Sequence, residues 1–192
     1  MPATRAPGEG ASPEGDGPLA GRRRVVTWED PRPGAELSTK LSGLDYLQSI
    51  VDGRAPAPPV ALLLGMRLAE VGPGRSVFSL DVGEHLYNPI GSVHGGIFCT
   101  LLDSAMACAV HTTLPAGRAY TTLELKVNVV KPLRLTTPTV RGEGKVLSSG
   151  RRVATASGQI LGPDGTLYAH GTTTCLVIEL PAAGERPGPL IG

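Results

Sequence analysis

The sequence predicts an α+β protein in which an antiparallel sheet curls around one long central helix. Two observations carry this. From Ile97 to Val110 the residues follow helical spacing yet are apolar on nearly every side, and a helix without a polar face must be covered on both sides. After it come four runs of strand character, and the last three are joined by short turn sequences, which make antiparallel neighbours. A chain of 192 residues holds one such core and a tail, so a single domain is expected.

Taken in chain order, residues 1–38 are crowded with Pro, Gly, Ala and isolated charges and show no periodicity, the composition of a mobile extension. Within it, Arg22, Arg23 and Arg24 are expected to be a solvated cluster. Order should begin near Leu41, where Leu44, Leu47, Ile50 and Val51 fall at helical spacing and Gly53 ends the helix. Beyond the Pro56, Pro58 and Pro59 break lies an apolar stretch, Val60–Leu68. Phe78, Leu80 and Val82 then alternate with polar neighbours as a half-buried strand. Following the central helix, Leu123, Leu125, Val127 and Val129 should face one way and Thr122, Glu124, Lys126 and Asn128 the other. Further strands are expected at 139–147, 153–161 and 167–178, with turns at Ser148-Ser149-Gly150 and Pro163-Asp164-Gly165. The expected organisation is an extension at 1–38, a folded domain at 39–180 and a C-terminal tail at 181–192.

Composition narrows the partners. Eighteen basic residues against 17 acidic ones leave a charge of +1, no basis for nucleic-acid or anionic-membrane binding. The three cysteines, Cys99, Cys108 and Cys175, form no CxxC pair and are expected as buried reduced thiols, with neither disulfide nor metal site. Only Val25 and Val26 follow the arginine run before polar residues return, which is no signal-peptide core, and no apolar run approaches a membrane span. A soluble cytoplasmic protein is expected.

The chemistry concentrates in Asn88-Pro89-Ile90-Gly91-Ser92-Val93-His94-Gly95-Gly96, which runs into the central helix. Gly95 and Gly96 let a ligand approach the backbone, and the unpaired N–H groups at a helix start suit an oxyanion, although the same residues make an ordinary turn and cap. Asp103 shifts the balance. It is the sole acidic or basic side chain, histidines aside, between His94 and His111, and a mid-helix carboxylate is costly without purpose or partners. A structural bond to the facing sheet is its other reading. Eight residues of helix place Gly95 ~12 Å from Asp103, too far for both to act on one carbonyl within a chain. If both act on one substrate, they must come from two subunits across a two-fold interface.

Together with the Thr121-Thr122-Leu123-Glu124-Leu125-Lys126-Val127 strand and Lys131-Pro132, this N-x-x-G-x-x-H-G-G run and the aspartate nine residues after its histidine resemble the hotdog-fold acyl-CoA thioesterases of the phenylacetate-pathway (PaaI-like) group. The resemblance spans roughly Leu41 to Leu180. It implies a hotdog fold that hydrolyses acyl-CoA thioesters with no metal or redox cofactor, coenzyme A being part of the substrate. It further implies a homodimer sharing active sites and compatible with a homotetramer. Asn88 and the Gly95 N–H would polarise the carbonyl, Asp103 of the other subunit would act as base or nucleophile, and Thr122 would help place the water. Thr121, one residue out of phase, should face away unless a bulge intervenes. His94 is expected chiefly to shape the turn, a direct catalytic role being its other reading. Lys131 and Arg151, with Arg134 and Arg152, are candidates for the CoA phosphates, and Tyr87 and Tyr120 either contact the acyl group or pack. A non-catalytic acyl-CoA-binding sensor or carrier partner is the alternative function.

Overall fold

The computed structural model describes residues 21–180. Three short helices open the chain: α1 (Pro31–Lys40), α2 (Gly43–Val51) and α3 (Pro59–Leu64). Each start has a local cause. Asp30 accepts the Arg32 N–H ahead of Pro31 at the first helical position, and the Ser42 hydroxyl accepts the Asp45 N–H. The left-handed Gly65 (φ 77°) ends α3 and turns the chain into a strand.

Two expectations change here. Regular structure begins at Pro31 rather than near Leu41, because a proline start and an aspartate cap make a helix that apolar periodicity does not reveal. Residues 1–20 of the expected extension, and the expected tail at 181–192, lie outside the described residues. The apolar stretch Val60–Leu68 is divided between α3 and a strand, with Gly65 as the divider.

Six strands form one antiparallel sheet in the order β1-β2-β4-β5-β6-β3: β1 (Met66–Gly72), β2 (Arg75–Leu80), β3 (Arg118–Val129), β4 (Val140–Ser149), β5 (Val153–Leu161) and β6 (Leu167–Glu179). The β4-β5-β6 meander matches the expected short turns. β3 crosses to the far edge beside β6, so β1 and β3 are the two edges.

The long helix α4 (Gly95–His111) lies against the sheet, with Phe98, Leu101, Leu102, Ala105, Met106, Ala109 and Val110 buried. Glycines on the facing strands set its distance. A methyl at Gly144 would sit 2.1 Å from the Ala105 carbonyl oxygen, and one at Gly142 or Gly158 would meet Leu101 or Met106 at 2.8 Å. Gly144 and Gly158 are cross-strand partners, so the helix beds onto a row without side chains. Ser76 on β2 completes the seat by donating to the same Ala105 carbonyl at 2.6 Å. At the other end, Gly43 of α2 packs against His111 and donates its N–H to Leu114 O at 2.9 Å.

β3 departs from simple alternation. Thr122 pairs with Cys175 while Glu124 pairs with Thr174, leaving Leu123 as the extra residue of a bulge. Leu123 is therefore 56% exposed rather than aligned with Leu125 and Val127, and Thr122 joins the helix-facing side. Val129 also turns outward.

Candidate active site

The turn before α4 is built by Asn88. Its side-chain Oδ1 accepts the N–H groups of Ile90 (3.0 Å) and Ser92 (3.2 Å), and its Nδ2 donates to Ser92 Oγ at 3.1 Å. Gly91 takes φ 79° so that the loop can close, a conformation a side chain would strain. Two backbone bonds dock the exit: Val93 N–H to Leu133 O (3.0 Å) and His94 N–H to Leu86 O (2.8 Å). Tyr87 adds a third tie, its hydroxyl oxygen accepting the Leu135 N–H at 2.6 Å.

His94 is the N-cap of α4, with Nδ1 accepting the Gly96 N–H at 3.0 Å. That bond requires an unprotonated Nδ1 and spends the second glycine's donor. The Gly95 N–H has no acceptor among the described residues. It is exposed at the positive end of a 17-residue helix, and nothing lies within 4 Å of where a Gly95 side chain would start. This is the geometry of an oxyanion donor. Asn88, by contrast, is largely engaged within its own loop, with one amide hydrogen to spare.

Two turns further along α4, Asp103 is half-buried and receives the Thr122 hydroxyl on Oδ1 at 2.8 Å. No cation pairs with it, and no other donor among the described residues reaches its carboxylate. With its hydrogen committed to Asp103, the Thr122 oxygen keeps lone pairs that can accept beside the carboxylate. A water there would find two acceptors for its hydrogens.

Titratable groups packed around the second half of α4 are held neutral. Burial pushes the Cys108 thiol up to about 12 and raises Cys175, it carries the Tyr120 hydroxyl well above its ordinary value, and it lowers His111 to about 4. None of these is charged at neutral pH. Tyr120 packs against His111, ring centroids 5.2 Å apart, so it belongs to this support.

The remaining candidates do not all converge. Thr121 sits opposite Leu176, on the other face from Thr122. The Lys131 N–H, two residues before the Leu133 that docks the Asn88–Gly96 turn, bonds Tyr168 O, whereas the Arg151–Arg152 turn bonds through Arg152 O to the Val177 N–H. Nine residues of β6 separate these points, roughly 30 Å of strand, so Lys131 and Arg151 of one chain cannot hold one phosphate group. A cavity of about 560 Å³ opens beside His94 and Gly96, walled by Leu63, Leu64, Leu86 and Ile97. Asp103 and Thr122 do not line it. The cavity walls come from segments far apart in sequence, with no local motif to mark them.

Among the described residues no three His, Cys, Asp or Glu side chains gather to hold a metal, and no helix is long and apolar enough to cross a membrane.

Known proteins share this fold. The thioesterase superfamily profile matches residues 90–169, which begin within the turn, after Asn88, and contain α4 and β3. A phenylacetic acid degradation-related protein from Ralstonia eutropha JMP134 is 31% identical, with 68% of this chain and 98% of that one covered at a TM-score of 0.62. The chain belongs to the thioesterase superfamily. A thioesterase family protein from Silicibacter pomeroyi (27% identical, 69% of this chain and 98% of that one, TM-score 0.61) superposes similarly. Human acyl-coenzyme A thioesterase 13 is 26% identical over 130 residues, 67% of this chain and 91% of that protein. The fold is thus the hotdog fold of this superfamily, and its chemistry is thioester hydrolysis.

Proposed function

We propose that the protein hydrolyses acyl-CoA thioesters as a homodimer whose active sites each combine the Gly95 turn of one subunit with Asp103 and Thr122 of the other. The observation that carries this is the pairing of a half-buried, cation-free carboxylate with a single hydroxyl, on the same helix as a free N–H that it cannot reach. A further support is the β3 edge, which presents unpaired backbone with exposed Leu123, Val129 and Val130, a surface suited to a second copy. The 26% identity to an acyl-coenzyme A thioesterase and the 31% identity to a phenylacetic acid degradation-related protein favour CoA esters, in the manner of the PaaI-like group.

In this reading the thioester oxygen accepts the Gly95 N–H and gathers negative charge at the helix dipole as the carbonyl is attacked. Asp103 of the opposite subunit takes a proton from the attacking water, the C–S bond breaks, and the departing coenzyme A thiolate receives that proton. In the other route Asp103 attacks the carbonyl itself, expelling the thiolate and forming an anhydride that water opens to the free acid and the restored carboxylate. Thr122 holds that water. Asn88 and His94 keep the turn in shape, Gly96 leaves room for the substrate, and Lys131 lies at the end of the sheet where a CoA phosphate would emerge. Arg151 would serve a phosphate only at the opposite end. Three free thiols, Cys99, Cys108 and Cys175, fit a reducing cytoplasm.

The test is complementation. Proline at Gly95 removes the N–H yet suits the first helical position, and His94 (φ −61°, ψ 138°) already has the backbone that precedes proline. Gly95→Pro and Asp103→Asn chains, each inactive alone against an acyl-CoA panel, should regain activity when co-assembled, because one site of each mixed dimer is intact. Unchanged hydrolysis by Asp103→Asn would overturn the mechanism. Failure of the mixed dimers to recover would overturn the shared site, and an inactive wild-type chain that still binds acyl-CoA would make it a sensor.

A further inference from the structure

The segment before α1 reaches the cavity by an unusual route. Arg24 and Val26 complete its lining, opposite the α4 residues that follow the oxyanion turn. Among the described residues, positions 21–30 form no helix or strand and make no backbone-to-backbone hydrogen bond. Side chains hold the segment. Arg24 Nη1 donates to Leu63 O at 2.8 Å and Nη2 to Leu62 O at 3.4 Å, placing a cation on the carbonyl end of α3. Arg22 Nε pairs with Glu84 at 2.6 Å, two residues before Leu86 of the cavity wall. Both anchors therefore tie the segment to elements that form the other walls.

We infer that Arg22–Val26 is a strap forming the outer wall of the acyl pocket, with Val26 as a specificity-determining contact and Arg24 as the residue that positions it; this rests on the thioesterase reading. The acyl arm is the occupant assigned here because the walls that Val26 joins, Leu63, Leu64, Leu86 and Ile97, are apolar, whereas the thiol arm of coenzyme A carries amides. The strap makes no ladder with the sheet, so its position depends on a few exposed side-chain contacts. Loosening them should alter which acyl groups are accepted without touching the carbonyl chemistry at Gly95 and Asp103. It also gives the first arginine of the run a partner and the third a function, where the sequence alone favoured a solvated cluster over steering of an anionic ligand.

The test uses the full chain and a series from acetyl-CoA to dodecanoyl-CoA, with free CoA as a competitive inhibitor. Val26→Trp should lower kcat/KM for the longest acyl group about tenfold relative to acetyl, a change of the size that one or two methylenes produce in a pocket. The inhibition constant of CoA should stay within about twofold. Arg24→Ala should raise KM for long acyl groups several-fold with kcat for acetyl-CoA retained, and Arg24→Lys should restore part of the preference. An equal loss on all substrates, a weakened CoA inhibition, or unchanged selectivity in both Val26→Trp and Arg24→Ala would overturn the strap while leaving the thioesterase reading intact. A wild-type chain inactive on every ester would overturn both, and the parallel Asp103→Asn measurement distinguishes the two failures.

Discussion

The two halves of α4 face opposite demands. From Ala105 to His111 the helix is sealed: Gly144 and Gly158 admit its backbone, Ser76 bonds its Ala105 carbonyl, and His111 is enclosed by Tyr46 and Tyr120. From Gly95 to Ser104 one side stays open, with the free Gly95 N–H, the partly buried Cys99 and Thr100, and the Asp103 carboxylate along it. Under the proposed function, the difference teaches that one rigid rod serves as foundation and as reactive surface. A carboxylate has to be held in place without being fully bonded, and the closely packed half supplies that rigidity.

Substitutions in each half should separate these roles. The largest effect belongs to the open half: Asp103→Asn should lower kcat on the order of a thousandfold, about 4 kcal/mol of transition-state stabilisation, with thermal stability unchanged. Parallel turnover and melting measurements check it, and a large fall in Tm would move Asp103 to the structural side. Next comes the sealed half. Gly144→Ala should destabilise the fold by about 3 kcal/mol, the upper range for overpacking, because its methyl meets backbone rather than a yielding side chain. Gly95→Ala meets nothing and should leave denaturant unfolding unaffected.

His111 makes the third test. Its folded pKa of about 4 lies below the ordinary 6.5, so the unfolded chain takes up a proton first as pH falls. Its contribution is complete above about pH 6.5 and is lost progressively down to about pH 4, at most on the order of 3 kcal/mol. Urea unfolding across that window should show the decline, and His111→Asn should flatten it. The smallest effect is expected at Thr122, where Val should reduce kcat about tenfold, a lost hydrogen bond to a charged group, while Ser stays near wild type. Equal activity of the Val and Ser variants would leave Thr122 as packing.

Much of this division can be read from residues. The span of α4, the turn carrying Asn88 to Gly96, the isolation of Asp103 and the three strands of the meander are local patterns, and local pattern is what periodicity and turn chemistry encode. Where the structure departs from local pattern, long-range pairing decides at β3 and at the strand-end cations, and local capping decides at α1. The β3 bulge at Leu123 reversed the expected phase because pairing with β6 sets register, and no dipeptide there announces it. α1 is not marked by periodicity because a capped, proline-led helix with a polar surface has no apolar stripe. Lys131 and Arg151 looked equivalent as strand-end cations until the sheet order put them at opposite ends.

By itself, the sequence determined the central helix and the chemical character of its two candidate reactive groups, since both follow from which residues stand within a few turns of each other. Tertiary structure alone decided that Gly95 rather than Gly96 keeps its N–H, that Thr122 meets Asp103, and that Arg24 and Val26 close the cavity. Those contacts join residues brought together by packing, and packing is settled by the whole core at once.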